Sequence, residues 1–333
     1  MLFNYIVKRI LQLIPLLVAI SIVIFIIIQL PPGDYLTSYI IQQEASGLEV
    51  NQSSIINMTK RYGLDKPVYE QYWTWITGII FRGDFGHSLQ WSLPVAQILS
   101  ERLPATIGIA LLTLIVTWGV SIPIGIYSAT HQYSFGDYVF IFIGFIGLAV
   151  PGFLLALAAV YFIFVSTGAS LTGLFSPDYV NAAWSWAKVQ DMLPRLGLLV
   201  LIIGLSQTAG LIRQMRAMLL DELQKQYVIT ARAKGVEEKK LLWKYPIRMA
   251  VNPMISTIGW ILPGLISGEM VVSIVLSMPT MGPIVRRALI AQDMYLAGSF
   301  LLIVSTLTVV GTLISDILLA VLDPRIRFGG VSE

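Results

Sequence analysis

The sequence predicts an all-α polytopic membrane protein with about six transmembrane helices. Of its 333 residues, 56% are hydrophobic and 12% are charged, whereas soluble domains carry roughly 25% charged residues. The mean hydropathy is +0.76. A helix needs about 20 apolar residues to cross the roughly 30 Å of hydrocarbon in a lipid bilayer. Apolar runs of about this length or more lie at residues 10–30, 104–128, 138–166, 194–214, 252–276 and 298–322.

The first run is interpreted as a retained helix within a segment of residues 1–30, rather than as a signal peptide. Lys8 and Arg9 precede the run, as basic residues would in a signal peptide. However, its 21 residues exceed the usual apolar region of about 7–15 residues. Residues 31–34, Pro-Pro-Gly-Asp, also contain no small-x-small cleavage site.

The distribution of basic residues predicts that both termini lie in the cytoplasm. An even number of spans places the two termini on one side, and Lys and Arg near helix ends are retained on the cytoplasmic side. With cytoplasmic termini, 13 of the 22 Lys and Arg residues lie in inner segments, nine of them between Arg213 and Arg248. The other nine are spread over longer outer loops. The prediction is therefore a multi-pass plasma-membrane protein with both termini inside.

The long outer loop, residues 31–103, is predicted to fold as an extracytoplasmic lobe. It carries seven acidic and five basic residues. Its Trp73, Trp75 and Trp91 favour contact with the membrane interface, where tryptophan is enriched. A poorly ordered connection is the alternative. Residues 104–333 then form the transmembrane core.

The inner loop, residues 215–250, is predicted to contain two short helices that project into the cytoplasm. The first covers Asp221 to Lys234 and ends at Gly235, because glycine is typical of helix C-termini. Glu237 and Glu238 begin the second helix, since acidic residues favour the first turn. Such a projection suits docking to another protein. The alternative is that this is an ordinary inner loop, since such loops are commonly basic and amphipathic.

Three polar residues within the apolar runs are candidates to line a pore or form a gate: Gln207, Glu269 and Asp316. Acidic residues inside membrane helices usually face the bundle interior or a water-filled path. For Glu269 and Asp316 the alternative is a structural hydrogen bond to a neighbouring helix. The nearby Gly264 and Gly268 are interpreted as close-packing sites between helices.

The sequence excludes several classes of chemistry. It has no cysteine, so disulfides, thiolate metal sites and cysteine nucleophiles are excluded. His87 and His131 lie in loops predicted on opposite sides of the membrane, so they cannot share a metal. No His-Glu-x-x-His, Gly-x-Ser-x-Gly or phosphate-loop motif occurs. We therefore expect no catalytic residue, metal or cofactor in this chain. The net charge of +3, without a basic aromatic patch, argues against nucleic acid as a partner.

Several ordered motifs resemble one family, the permeases of ABC importers for dipeptides and oligopeptides, and specifically the first of their two permease subunits. The motifs are Pro32-Gly33-Asp34, Tyr62-Gly63-Leu64-Asp65-Lys66-Pro67, Gly83-Asp84-Phe85-Gly86-His87-Ser88, Tyr227-Val228-Ile229-Thr230-Ala231-Arg232-Ala233-Lys234-Gly235 and Leu322-Asp323-Pro324-Arg325-Ile326-Arg327. Together they cover essentially the whole chain.

The resemblance implies a subunit of a bacterial or archaeal importer and not an enzyme. Its partners would be a second homologous permease, two ATPases that bind ATP and Mg, and an extracytoplasmic substrate-binding protein. It also implies that one set of residues in the inner loop docks onto the ATPase: Asp221, Glu222, Tyr227, Thr230, Ala231, Arg232, Ala233, Lys234 and Gly235.

Three alternative functions stay open at this stage. The turn Leu276-Ser277-Met278-Pro279-Thr280 is similar to permeases for oligosaccharides, so the same machine could import oligosaccharides. An ion-coupled secondary carrier would also be a polytopic bundle with a few buried acids, but it predicts internal repeats that this sequence does not show. The third alternative is an ATP-driven exporter, but the predicted outer lobe favours an importer.

Overall fold

A computed structural model describes residues 2–30, 65–88 and 90–322, together with residues 56 and 59. These residues form twelve α-helices, and the one extended pairing among them is an isolated bridge between His87 and Pro94. The helices are α1 (Leu2–Gln29), α2 (Val68–Arg82), α3 (Val95–Thr130), α4 (Phe135–Ala149), α5 (Gly152–Thr167), α6 (Trp186–Leu223), α7 (Gln226–Ala233), α8 (Glu238–Lys244), α9 (Pro246–Ile255), α10 (Ile258–Val275), α11 (Met281–Ile290) and α12 (Met294–Leu322). The all-α prediction is confirmed. Most of the predicted lobe before residue 65 lies outside the described residues.

Four of these helices are long and apolar enough to span a membrane: α1, α3, α6 and α12. The pair α4 and α5 is a fifth candidate if its two bent halves count as one span. The structure therefore confirms a multi-pass membrane protein, whereas the predicted count of six spans is not confirmed.

The third apolar run, predicted as one span over residues 138–166, is instead divided into two helices. The axes of α4 and α5 are bent by 104°. Val150 is extended, with φ −99° and ψ 123°, because a residue before proline is disfavoured in the helical region. Pro151 then precedes the first residue of α5. The Val-Pro-Gly sequence at 150–152 is the local cause of the bend.

The fifth run, predicted over residues 252–276, is also two helices. α9 ends at Ile255 and α10 begins at Ile258. The apolar stretch of α10, Ile261–Val275, is shorter than the roughly 20 residues that a straight span requires. This is why the sequence-based span count exceeds the structural one.

One compact unit consists of the described residues within 1–10, 106–279 and 308–333. Its central element is α6, which packs against α4, α5, α9 and α10. Leu199, Met215 and Leu219 of α6 are completely buried. At Gly144 of α4 an added Cβ would lie 3.1 Å from the Cβ of Ala209, so the two helices touch closely here. Any displacement of α6 therefore reaches most of this unit.

The second unit consists of the described residues within 11–105 and 280–307. Its core is formed by Ile24, Phe25, Trp75, Ile76 and Leu302. Trp75, which the sequence predicts together with Trp73 and Trp91 to favour the membrane interface, has its side chain buried in this core.

The described residues 83–88 and 90 follow α2 in this second unit, and we name them the outer turn because the sequence predicts them outside the cytoplasm. The carboxylate of Asp84 accepts a hydrogen bond from the Gly86 backbone N–H at 2.9 Å. The hydroxyl of Ser88 donates to the carboxylate of Asp293, which also accepts from the Gln90 N–H at 3.1 Å. Ser88 and Asp293 are both completely buried. The motif that carries the family resemblance here is thus a structural turn anchored to the start of α12.

Candidate functional site

Residues 221–245, which we name the docking segment after their predicted role, have the predicted helix-turn-helix form with one difference. α6 ends at Leu223 and α7 begins at Gln226. The single helix predicted from Asp221 to Lys234 is therefore interrupted. Asp221 and Glu222 belong to the last turn of α6, and the other predicted docking residues belong to α7 and the turn after it.

A small apolar core holds the docking segment together. Val228 and Ala231 of α7 are three residues apart and share one helix face. They are buried against Leu241 of α8, with Val236 and Tyr245 packed around them. Three buried residues form only a small core. Polar contacts at both ends of α7 add to it.

The first polar contact spans the break between α6 and α7. The hydroxyl of Tyr227 donates a hydrogen bond to the carboxylate of Glu222. Burial, together with this hydrogen bond, raises the pKa of Tyr227 above its ordinary value. The phenol thus remains a neutral donor at physiological pH, and the contact ties the start of α7 to α6.

The second contact spans the turn between α7 and α8. Arg232 donates two hydrogen bonds to Glu238, from Nη2 to Oε1 at 2.6 Å and from Nε to Oε2 at 3.0 Å. This bidentate geometry raises the pKa of Arg232 and lowers that of Glu238. Gly235, between them, has a φ of +75°, which an L side chain rarely adopts. Both ends of α7 are thus fixed within this chain.

The outer face of α7 is open to a partner. Thr230, Ala233 and Lys234 are exposed, and Ile229, an apolar residue, is 46% exposed. The side chains of Glu222 and Glu238 are already engaged by Tyr227 and Arg232. The face therefore offers a partner apolar and cationic groups.

A partly buried ion pair joins the connection before α4 to the same end of α6. Arg216 Nη2 lies 3.1 Å from Asp137 Oδ2. The Asp137 N–H donates in turn to the hydroxyl of Ser134, the N-cap residue of α4. The connection before α4 and the docking segment therefore lie at one end of this unit. The sequence analysis missed this pair, although Ser134 followed three residues later by an acid is a recognisable capping pattern.

Gln207, the first pore candidate, lines a groove of about 660 Å³ in this unit. The groove lies among α5, α6 and α10 and includes Ser206, Gly264 and Gly268. A Cβ added at Gly264 would lie 3.6 Å from the side-chain nitrogen of Gln207. Gly264 therefore borders the space that Gln207 faces, whereas a Cβ added at Gly268 would lie 3.9 Å from Ile203.

Glu269 and Asp316, the other pore candidates, lie elsewhere. Glu269 is completely buried and is not among the residues that line this groove. Asp316 of α12 forms an ion pair with Arg9 of α1, with Asp316 Oδ2 and Arg9 Nε 3.4 Å apart. The structure therefore brings none of the three candidates together. Within the described ranges, no three His, Asp or Glu side chains converge on a metal position.

Comparison with known proteins covers nearly the whole chain. Residues 121–328 match the family described as binding-protein-dependent transport system inner membrane component, and residues 2–110 match its N-terminal family. Oligopeptide transport system permease protein AppB of Bacillus subtilis is 34% identical over 97% of this chain and 99% of its own length.

Two further relatives have the same extent. A putative peptide permease protein of Brucella ovis is 30% identical over 97% of this chain and 99% of its own. Inner membrane ABC transporter permease protein YejB of Escherichia coli O157:H7 is 31% identical over 98% and 99% of the two chains. The chain has a multi-pass architecture and is similar to these relatives over nearly its full length. It therefore belongs to the family of binding-protein-dependent transport system inner membrane components.

Proposed function

We propose that this chain is one of two permease subunits of an ABC importer that carries oligopeptides delivered by an extracytoplasmic binding protein. Relatives whose names specify peptide or oligopeptide transport align with it from end to end. The observation that carries the proposal is the docking segment, since a helix with an exposed outer face and fixed ends suits a partner that applies force.

In this proposal the docking segment receives the movement of a partner ATPase, which binds the ATP and Mg. α7 is tied to α6 through Tyr227 and Glu222. α8 continues directly into α9, which packs against α6. A displacement of α7 is therefore transmitted to the long helix at the centre of the unit.

The groove beside Gln207 supplies this chain's half of the translocation pathway, and a second homologous permease supplies the other half. Its walls are mostly apolar side chains, among which the Gln207 amide and the Ser206 hydroxyl supply hydrogen-bonding groups, and this mixture is suitable for varied peptides. Docking segment and termini then lie in the cytoplasm of a bacterial or archaeal cell.

Uptake measurements test the transport assignment. In cells that carry the complete importer, deletion of this chain should abolish ATP-dependent uptake of labelled oligopeptide, and the intact gene should restore it. Uptake that survives ATP depletion but stops with an ionophore would instead indicate an ion-coupled carrier.

Oligosaccharide remains the alternative substrate because of the turn at residues 276–280. Leu276 and Met278 of this turn are buried, and the Leu276 carbonyl accepts a hydrogen bond from the Gly173 N–H at 2.7 Å. These contacts support a packing role over substrate contact. Mass spectrometry of the ligand that co-purifies with the binding protein decides between the two, since a bound oligosaccharide would overturn the peptide assignment.

Cysteine accessibility tests the pathway, because the chain contains no natural cysteine. Gln207→Cys should react with a charged, membrane-impermeant thiol reagent in the assembled importer. The matched control is Leu201→Cys on the same helix, where the leucine side chain is 66% exposed and lines a separate, apolar groove. Equal reactivity of the two variants, or no reaction of Gln207→Cys, would contradict the assignment.

A further inference from the structure

A third groove lies between α4 and α6, apart from the groove beside Gln207 and next to the apolar groove that Leu201 lines. Its empty volume, together with the open space at its mouth, is about 240 Å³, and it is lined by Phe140, Ile141, Gly144, Phe145, Leu148, Ala209, Ile212 and Arg213. All of these side chains except Arg213 are apolar. From Phe140 to Leu148 the groove follows α4 for about 12 Å, with Arg213 at the end where Phe140 lies.

The cation at this end has no counter-ion of its own. Arg213 is exposed, and within the described part of the chain no ion pair or hydrogen bond of its side chain occurs. Arg216, one turn further along α6, differs because it is paired with Asp137. Asp137 thus pairs with Arg216 and not with Arg213.

We propose that this groove binds an anionic phospholipid, with the phosphate at Arg213 and one acyl chain along α4. An apolar groove that ends in an uncompensated guanidinium is complementary to a ligand with an apolar chain and a negative head. Basic positions between membrane helices are favourable for such headgroups. The lipid seals the crossing of α4 and α6 just beside the docking segment. The inference does not depend on the transported substrate.

Lipid retention by the purified importer tests the proposal. The assembled complex is titrated with phosphatidylglycerol or phosphatidylcholine, and bound lipid is counted by native mass spectrometry. The unmodified protein should retain phosphatidylglycerol in preference to phosphatidylcholine. Arg213→Gln should reduce this retention about fivefold, whereas Arg213→Lys should preserve most of it.

Two further variants separate the site from general charge effects. Arg248→Gln removes another exposed arginine of the same unit and should leave retention unchanged. Leu148→Trp narrows the apolar end of the groove and should reduce retention while Arg213 is intact. Equal loss in Arg213→Gln and Arg248→Gln, or equal retention of the two lipids, would overturn the proposal. A photo-reactive amino acid placed at position 145 should label lipid. Labelling of a protein subunit instead would also overturn the proposal.

Discussion

The docking segment and the outer turn both reverse the chain at a glycine with positive φ, but their surroundings differ. Gly235 has a φ of +75°, and among the described residues no heavy atom lies within 4 Å of a Cβ placed there. Gly86 has a φ of +83°, and a Cβ there would lie 2.7 Å from the Tyr295 ring. Gly235 is required only for its backbone conformation. Gly86 is required both for its backbone conformation and because a side chain would collide with Tyr295.

The docking segment is a surface suited to contact with a partner, whereas the outer turn is part of a packed core. The outer turn is anchored by a buried carboxylate, Asp293, whereas the docking segment is held by the exposed pair Arg232 and Glu238. Buried contacts resist opening more than solvent-exposed ones. We therefore expect substitutions to lose stability in the outer turn, and to lose association with partners in the docking segment.

The largest loss of stability is expected for Gly86→Ala. Left-handed strain together with overpacking against Tyr295 should lower the free energy of unfolding by roughly 2–4 kcal/mol. Thermal unfolding of the purified protein measures the loss. Gly83→Ala is the matched control in the same turn, because its φ is +62° but no described atom lies within 4 Å of the added Cβ, and it should lose only about 1 kcal/mol. If Gly86→Ala still loses more than Gly83→Ala when Tyr295 is also changed to alanine, the steric explanation is wrong.

Asp293→Ala should have the next largest effect. Its buried carboxylate accepts hydrogen bonds from Ser88, from the Gln90 N–H and from the Leu296 N–H. Loss of these charged contacts should reduce stability by about 2–3 kcal/mol. Ser88→Ala removes only one of these donors and should lose less, about 1 kcal/mol. Unfolding midpoints of both variants provide the comparison, and an equal loss would mean that the Ser88 contact carries the whole effect.

In the docking segment, Gly235→Ala should lower stability by about 1 kcal/mol, through strain alone. Gly235→Asn should lose less, because asparagine tolerates the left-handed region. Gly235→Pro cannot adopt a positive φ and loses the N–H that donates to the Arg232 carbonyl at 3.0 Å. We expect this variant to lose ATPase association in a pull-down assay while the rest of the chain stays folded. Normal association by Gly235→Pro would contradict the docking role.

The smallest effect on stability is expected for the exposed pair Arg232 and Glu238. Because the pKa of Glu238 is lowered from its ordinary 4.5, the contribution of the pair is complete above that value. It is lost as the pH falls through the lowered pKa. Hydrogen exchange of α7 should therefore be unchanged from neutral pH to about pH 5, after correction for intrinsic rates, and faster in more acidic solution.

Reversal of the charges tests the same pair. Arg232→Glu should accelerate hydrogen exchange in α7 at neutral pH, because the introduced carboxylate and that of Glu238 would repel each other in that variant. The added change Glu238→Arg should restore the slow hydrogen exchange. Lys234→Glu leaves the pair intact and serves as the control. If Lys234→Glu has the same effect as Arg232→Glu, net charge and not the pair controls the segment.

Sequence reasoning predicted the all-α membrane class, most apolar runs and the helix-turn-helix form of the docking segment. Each of these depends on local composition or on residues within a few turns of one another, such as Gly235 before Glu238. Hydropathy, however, does not report a change of direction inside an apolar run. The bend after Ala149 was therefore missed, although Pro151 marks its position.

Only the tertiary structure shows which residues that lie far apart in the sequence are in contact. Asp316 meets Arg9, and Gly86 meets Tyr295, across most of the chain. The sequence by itself determined which segments are apolar, because burial preference is a property of each residue. Only the folded chain decided that Gln207 faces a groove, that Glu269 is enclosed and that Asp316 is paired, because these depend on which helix faces meet.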